Sequence, residues 1–298
     1  MIGLFHRKMI HVFRCEGMTR KIMRLILIHD PQLEMIYHQT AREISQYYGI
    51  SYERSVRIFE DLHSIILKEQ LEIELKRYHI ITIHDVGYPE LLKNIKDPPL
   101  VLYALGDLSL LQQQPAISVI GTRKPSSEAG SKTAHIITPL IKRNWIIVSG
   151  LARGIDSYAH RIALFNQGKT IAVIGCGLEH IYPAENDSLY KQIEQNGLIL
   201  SEYPPYVRPK PYHFPERNRI ISGLSFATLV IEATSKSGTL ITVDQALDQG
   251  REVYAVPGSI LNQQSIGCHK MIQDGAKLVT NEAEIIEDWD HLKTHVYR

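Results

Sequence analysis

Short apolar runs separated by stretches of helical periodicity fill the chain from Ala116 onward. The runs lie at residues 117–120, 145–149, 170–174, 198–201, 227–231, 252–256 and 277–279. Runs of this length indicate buried strands, and their alternation with amphipathic helices is typical of a mostly parallel sheet covered on both faces. The pattern therefore predicts an α/β fold with a doubly wound, Rossmann-like sheet.

The N-terminal part shows helical periodicity. Between Met18 and about Ile73, apolar residues recur every three or four positions, with breaks at Asp30-Pro31 and Gly49. We therefore expect a small helical domain over residues 1–75. At residues 15–17, Cys-Glu-Gly, two interpretations stay open: a helix-hairpin-helix turn that contacts DNA, or a plain packing or protein-contact module.

A connecting segment, residues 76–115, follows the helical part. Its apolar runs at 80–83 and 100–105 predict two short strands, and Tyr88-Pro89 predicts the start of a helix. We expect this segment to dock on the larger domain, so that residues 76–298 form one unit.

Composition narrows the possible functions. A chain of 298 residues with 44% hydrophobic content is large enough to bury a full core. No stretch approaches the roughly 18 uncharged apolar residues of a membrane span, so we expect a cytoplasmic protein. The three cysteines are far apart and lack CxxC spacing, which argues against a disulfide framework or a structural zinc site. Because the net charge is only +1, any basic surface must be local.

Three loops that follow predicted strands combine glycine or small hydroxyl residues with a cation. They are Gly121-Thr122-Arg123-Lys124, Gly150-Leu151-Ala152-Arg153-Gly154 and Ser235-Lys236-Ser237-Gly238-Thr239. In an open α/β sheet, ligands bind beyond the carboxyl ends of the strands. Glycine lets the backbone approach a phosphate, the following helix offers unpaired N–H groups, and Arg or Lys adds charge. One such loop is often only a tight turn, but the three together predict an anion-binding groove.

Signatures of nucleotide-dependent enzymes are absent from the sequence. Gly175-Cys176-Gly177 begins like a dinucleotide fingerprint, but His180 stands where the third glycine is needed, and no Walker motif occurs. We therefore expect no cofactor, no metal ion and no catalytic residue.

A basic and aromatic segment, residues 208–219, follows the fourth strand. Its sequence is RPKPYHFPERNR, which combines five basic or imidazole side chains with two aromatic rings. This mixture suits single-stranded nucleic acid, because cations track the phosphates while unstacked bases lie on aromatic faces. Two simpler interpretations stay open: Phe214 belongs to the core, and Arg217 forms salt bridges.

Asp156 and His160 lie one helical turn apart and share a helix face, as a general acid/base pair would. We favour a structural role. In that interpretation Asp156 interacts with free N–H groups at the start of the helix, and His160 lies against its carboxylate.

Six motifs occur in a fixed order between residues 118 and 276. They are SVIGTR at 118–123, SGLARGIDSYAH at 149–160, FPERNRIISG at 214–223, KSGTLIT at 236–242, VPGS at 256–259 and GCHKMIQDGA at 267–276. Together they resemble the motifs of the DprA/Smf family of DNA-processing proteins. The likeness covers nearly all of residues 88–280.

The resemblance implies a non-enzymatic protein that binds incoming single-stranded DNA during natural transformation and helps to load the RecA recombinase. It also implies an extended Rossmann domain that forms a homodimer, preceded by a helical domain similar to a sterile-alpha-motif fold. Some members carry a C-terminal winged-helix module, and we expect this chain to function without one. The dimer and RecA surfaces stay open, as does the choice between transformation and general DNA repair.

The resemblance and the loops together nominate fifteen DNA-binding residues. They are Gly121, Arg123, Lys124, Gly150, Arg153, Gly154, Lys210, Phe214, Arg217, Asn218, Arg219, Lys236, Ser237, Gly238 and Thr239. One departure is visible: some relatives have lysine directly after the Tyr-Pro pair, whereas Ala184 follows Tyr182-Pro183 here. One cation is therefore missing from the predicted anion-binding groove or is replaced by Lys191.

Two alternatives come from other functional classes. A nucleotide phosphoribohydrolase of the lysine-decarboxylase-like group has a similar glycine loop, but the position of its catalytic glutamate holds Thr242 here. A scaffold protein whose partners dock on the outer helices is the second alternative, and it is compatible with DNA binding.

Overall fold

The structure is a computed structural model that describes residues 3–296. The chain forms two compact units, Met1–Val86 with Pro99–Leu102 and Gly87–Pro98 with Tyr103–Arg298. The sequence pattern favoured a division at residue 75, and that boundary stays a proposal.

The first unit is mainly helical. Its elements are α1 Leu4–Arg14, α2 Arg20–His29, a 3-10 turn Met35–Tyr37, α3 Ala41–Tyr48, α4 Tyr52–His63, α5 Ile65–Arg77 and β1 His79–Thr82. The predicted breaks are present, because α2 ends just before Asp30-Pro31 and Gly49 takes the left-handed conformation, φ 62°, that ends α3. Helix α1 precedes the region where the sequence predicted helices.

The turn at residues 15–17 packs against α4. Cys15 is buried, and the backbone N–H of Glu16 donates to the Asp61 carboxylate at 2.6 Å. Arg57 of the same helix pairs with the Glu16 side chain at 3.1 Å. These contacts favour the packing interpretation of this turn over the DNA-contacting one.

Parallel strands dominate the second unit, as predicted. The strands are β2 Val101–Gly106, β3 Ala116–Ile120, β4 Ile146–Ser149, β5 Thr170–Val173, β6 Leu198–Ser201, β7 Ala227–Val230, β8 Glu252–Ala255 and β9 Lys277–Leu278. Within the second unit the strand order of the sheet is β2-β6-β5-β4-β3-β7-β8-β9. From β6 to β9 all neighbours are parallel, whereas β2 pairs with β6 in the antiparallel sense. The predicted α/β fold class is therefore confirmed.

Helices connect these strands. They are α6 Glu90–Lys93, α7 Ala129–Lys142, α8 Ile155–Phe165, α9 Asp187–Asn196, α10 His213–Gly223, α11 Thr239–Asp248, α12 Ile266–Gln273 and α13 Ala283–Val296, with 3-10 turns at Leu108–Gln112 and Ala184–Asn186. No helix within residues 3–296 combines the length and apolar character needed to cross a bilayer.

Burial explains why the central strands appear in the sequence as continuous apolar runs. Every residue of β3, β4, β5, β6 and β7 is buried, as expected for strands with helices on both faces. The chain runs outward from β3 through β6 and then returns to β7 on the other side of β3. This reversal makes the β3/β7 boundary the topological switch point, where α/β sheets bind ligands.

Candidate functional site

A cavity of about 470 Å³ lies at the switch point, where the loops after β3 and β7 meet the first turns of α10 and α11. The nominated residues in its lining are Gly121, Arg123, Lys124, Phe214, Arg217, Asn218, Ser237, Gly238 and Thr239. The fold thus brings together residues that are more than 100 positions apart in sequence.

Glu232, directly after β7, holds both ends of the loop that follows β3. Its carbonyl accepts the Thr122 N–H at 2.8 Å, and its buried carboxylate accepts the Ser126 N–H at 2.8 Å and the Ser126 hydroxyl at 2.5 Å. Lys132 of α7 neutralises the carboxylate at 3.2 Å. Arg123 and Lys124 lie between the two anchored points and are exposed. Glu232 was not predicted as a functional residue, because its only signal in the sequence is a carboxylate at the end of an apolar run.

Gly121 and Gly154 allow the β3 loop and the start of α8 to approach each other. A Cβ on Gly121 would lie 2.5 Å from Ile155 Cγ1 and 2.8 Å from the Glu232 carbonyl oxygen. Gly154 has a φ of +76°, and a Cβ there would lie 2.3 Å from the Thr122 carbonyl oxygen. A side chain at either position would collide with the neighbouring loop or helix, so the close approach of these segments requires glycine at both positions.

Phe214, at the start of α10, is neither core nor fully exposed. Its ring lies over the bare backbone of Gly175, where a Cβ would come within 2.9 Å of the ring. The Tyr182 ring is 5.2 Å away, and the Arg123 guanidinium carbon is 5.9 Å from the ring centroid. A partly exposed aromatic ring and an exposed cation therefore share one wall of the cavity.

Arg217 is buried, with 3% of its surface exposed. Its Nη1 donates to the carbonyl oxygens of Gly150, at 2.6 Å, and Val173, and its Nε donates to Asn218 Oδ1 at 3.1 Å. Burial lowers the pKa of Arg217 to about 10, while the nearby Asp156 carboxylate favours its charged form. Arg217 thus ties the ends of β4 and β5 to α10, and a direct ligand contact there stays a prediction.

Arg219, two residues further along α10, lies outside the cavity lining. It is buried and donates to both carboxylate oxygens of Glu202, at 2.8 and 2.6 Å, with Asp97 3.4 Å away. Because its charge is already compensated inside the protein, we leave Arg219 out of the proposed interface.

The remaining nominated cations, Arg153, Lys210 and Lys236, are not among the residues that line the cavity. Arg153 is exposed and bound at both Nε and Nη2 by Glu185, at 2.6 and 2.7 Å. Lys210 lies 5.9 Å from the Tyr212 ring centroid, and Lys236 is exposed just before the cavity-lining Ser237. Lys191, the suggested replacement for the missing cation, pairs with Asp187 at 2.8 Å.

The expected partners of Asp156 and His160 are corrected by the structure. Asp156 accepts the N–H groups of Gly150, at 3.2 Å, and Ala152, at 3.4 Å, which belong to the preceding loop. His160 instead bonds through Nδ1 to Thr170 Oγ1 at 2.7 Å, because β5 runs beside α8. Burial raises the pKa of Asp156 and lowers that of His160 to about 3. The two side chains do not form an acid/base pair.

The chemistry available in the cavity is anion binding combined with ring stacking. Arg123 and Lys124 supply exposed charge, α11 begins at Thr239 in the lining, and the Ser237 hydroxyl accepts the Thr239 N–H at 3.2 Å. Among the side chains of residues 3–293, no three His, Cys, Asp or Glu are placed to hold a metal ion. His213, from the basic segment, is buried against Tyr203 with ring centroids 3.9 Å apart.

Comparisons with known families agree with this architecture. The family model of DNA recombination-mediator protein A matches residues 79–290. DNA processing protein DprA from Bacillus subtilis (strain 168) is 45% identical over 208 residues, 70% of each chain. DprA from Streptococcus pneumoniae (strain ATCC BAA-255 / R6) is 43% identical over 237 residues, 80% of this chain and 83% of the relative.

Two solved structures are also similar. The X-ray structure of DprA from Streptococcus pneumoniae is 36% identical, with a TM-score of 0.83, and the match covers 94% of this chain and 97% of that one. A structure of DprA from Helicobacter pylori, which concerns that protein's single-stranded DNA binding mode, is 31% identical, with a TM-score of 0.64. That match covers 71% of this chain and 96% of the other.

Proposed function

The chain belongs to the DNA recombination-mediator protein A family, the DprA/Smf proteins, and from this premise we propose that its cavity at the β3/β7 switch point binds single-stranded DNA. One observation carries the proposal: exposed Arg123 and Lys124 share the cavity with the partly exposed Phe214 ring. The single-stranded DNA binding described for the Helicobacter pylori protein supports the same assignment.

Single strands fit this site better than duplexes for a physical reason. Phosphates are attracted by the exposed cations Arg123 and Lys124, while Phe214 offers a face to an unstacked base. A base inside a duplex is already stacked on both sides and cannot use that face. The lining offers cations for phosphates and one aromatic face for a base, and neither contact reads base identity, so we expect binding without strong sequence preference.

We further propose, on the strength of family membership, that the protein acts in the cytoplasm as a homodimer without a catalytic step. In this role it helps to load RecA recombinase onto the bound strand during natural transformation. The phosphoribohydrolase alternative is not favoured, because Thr242 stands at the position of the catalytic glutamate and the Asp156 carboxylate is buried and hydrogen-bonded.

The decisive experiment compares the affinity of the purified protein for a single-stranded oligonucleotide and for the duplex of the same sequence. We expect tighter binding of the single strand, with a logarithmic salt slope of about 0.7 for each phosphate neutralised. Equal affinity for the two forms contradicts the proposal. Release of free base from nucleoside monophosphates would promote the hydrolase alternative.

A further inference from the structure

The loop between β8 and α12 exposes two adjacent aliphatic side chains. Ile260 is 82% exposed and Leu261 is 88% exposed. Burial of aliphatic side chains of this size is favourable, so two adjacent exposed ones are available to contact a ligand or partner. A ligand or partner that covers both side chains would remove this apolar surface from water.

The loop holds the two side chains in place through its own hydrogen bonds. The Ser259 hydroxyl accepts the Leu261 N–H at 3.3 Å, and the Ser259 carbonyl accepts the Asn262 N–H at 3.0 Å. Asn262 Oδ1 accepts the Gln264 N–H at 3.0 Å, and the base of the loop is joined to α12 by His269, 3.0 Å from the Gly258 carbonyl oxygen. Because these hydrogen bonds fix the conformation of the turn, Ile260 and Leu261 are exposed in a defined position before a partner binds.

Gln264 connects this loop to the proposed DNA cavity. The residue lines the cavity, its carbonyl accepts the Ala233 N–H at 2.8 Å, and its side-chain amide lies 3.4 Å from the Lys124 carbonyl oxygen. The exposed aliphatic pair is therefore three and four residues from the cavity, on the side where the β3 loop carries its cations.

The neighbourhood of the pair selects the kind of ligand. A contact surface that continues from exposed cations to exposed aliphatic groups fits a molecule with both negative charge and flat apolar faces. An unstacked single strand has both, and aliphatic side chains are known to pack against separated bases. A folded protein partner would also cover an apolar pair, but it would not explain the continuity with an anion cavity.

We infer that Ile260 and Leu261 form a base-contacting subsite that extends the DNA interface beyond the cavity. This inference rests on the proposed function, since it assigns the same strand a second set of contacts. The subsite binds the faces of bases and not phosphates, so its contribution is independent of salt and depends on the presence of bases.

The test uses the full chain with Ile260 and Leu261 both replaced by Ser, and a deoxythymidine oligonucleotide as the probe. The control is Phe165→Ser, which removes an 87% exposed apolar side chain from the far end of α8. We expect the double variant to lose at least about fivefold in affinity, with an unchanged salt slope. The control variant should bind as the parent does.

A second probe separates base contacts from all others. On an oligonucleotide of equal length whose bases are replaced by abasic sites, the parent and the double variant should bind equally. An equal loss of affinity on both probes overturns the subsite, and so does equal binding of parent and double variant to the base-bearing probe. A loss that coincides with dissociation of a dimer at the same concentration overturns it too, since the loop would then contact a second copy.

The two proposals can fail separately. If the parent protein does not bind single strands, both are overturned. If the parent binds and Lys124→Ala weakens that binding while the double serine variant does not, the cavity assignment stands and the subsite alone is overturned. Circular dichroism and melting temperature show that each variant is folded, which the exposure of these side chains leads us to expect.

Discussion

The guanidinium of Arg217 lies against the peptide of Gly150 so closely that no side chain fits between them. Nη1 donates to the Gly150 carbonyl at 2.6 Å, and a Cβ on Gly150 would lie 2.7 Å from the guanidinium atoms. The loop after β4 is therefore glycine at this position because a buried arginine supports it. This contact joins α10, which carries Phe214, to the carboxyl end of β4.

Replacing Arg217 by Met should lower the free energy of unfolding by about 3 kcal/mol, because buried carbonyls lose a charged donor and the Asp156 carboxylate loses a nearby cation. Chemical denaturation measures the change. Arg153→Met, which breaks an exposed ion pair, is the matched control and should leave the free energy of unfolding nearly unchanged. Equal effects of the two substitutions would show that Arg217 is not a structural tie.

Glu185→Gln should increase the affinity for single-stranded DNA. The carboxylate of Glu185 accepts hydrogen bonds from both Nε and Nη2 of Arg153. Removal of this carboxylate leaves the exposed Arg153 guanidinium available to bind a phosphate. The salt slope should steepen by up to about 0.7. Asp187→Asn, which breaks the exposed pair with Lys191, is the control for a loss of negative charge. If both variants strengthen binding alike, the effect is general electrostatics and Arg153 is not a contact.

Lys236→Ala and Phe214→Ala should weaken binding in different ways. Loss of Lys236 removes a phosphate contact, so affinity falls most at low salt and the salt slope becomes shallower by about 0.7. Loss of Phe214 removes a stacking face, so affinity falls by about 1–3 kcal/mol while the slope stays constant. Binding isotherms at several salt concentrations measure both quantities.

Stability measurements must accompany this comparison, because Phe214 also packs against Tyr182 and the backbone of Gly175. Phe214→Leu keeps part of that packing without an aromatic face, and it should bind more weakly than the parent, because an aliphatic group covers less of a base than a ring does. If both folded variants bind as tightly as the parent, Phe214 does not hold a base.

His160 should make the fold less stable in acid. Burial lowers its pKa in the native state from 6.5 to about 3, so between these values the unfolded chain binds a proton that the native state refuses. The free energy of unfolding therefore falls as the pH drops from 6.5 toward 3. His160→Gln should make this dependence shallower. An unchanged pH profile for His160→Gln would contradict the assignment.

The sheet and the position of the cavity were predictable because each rests on local pattern. Strands buried on both faces leave continuous apolar runs, and parallel strands bring their carboxyl ends to one edge. The resemblance to the DprA/Smf family is likewise confirmed. The N-terminal helix α1 was not predicted, because the polar residues of its sequence, LFHRKMIHVFR, obscure the periodicity of its apolar positions. Its apolar face includes the buried Met9 and Ile10.

The roles of individual cations could not be predicted, because they depend on residues distant in sequence. Arg217 and Arg219 share one charged segment, yet the first meets carbonyls from β4 and β5 and the second meets the Glu202 carboxylate. The spacing of Asp156 and His160 correctly placed them on one helix, but Thr170 of a neighbouring strand decided which partner His160 takes.

Because one residue, Glu232, fastens the β3 loop at Thr122 and at Ser126, the intervening cations are positioned before any ligand arrives. A preorganised loop loses little conformational freedom on binding, so little of the attraction between charge and phosphate is offset by ordering. Association should then resemble docking onto a rigid surface, with the entropy cost borne by the flexible strand. Oligonucleotides that are already extended and unstacked should therefore gain affinity over those that must first lose internal structure.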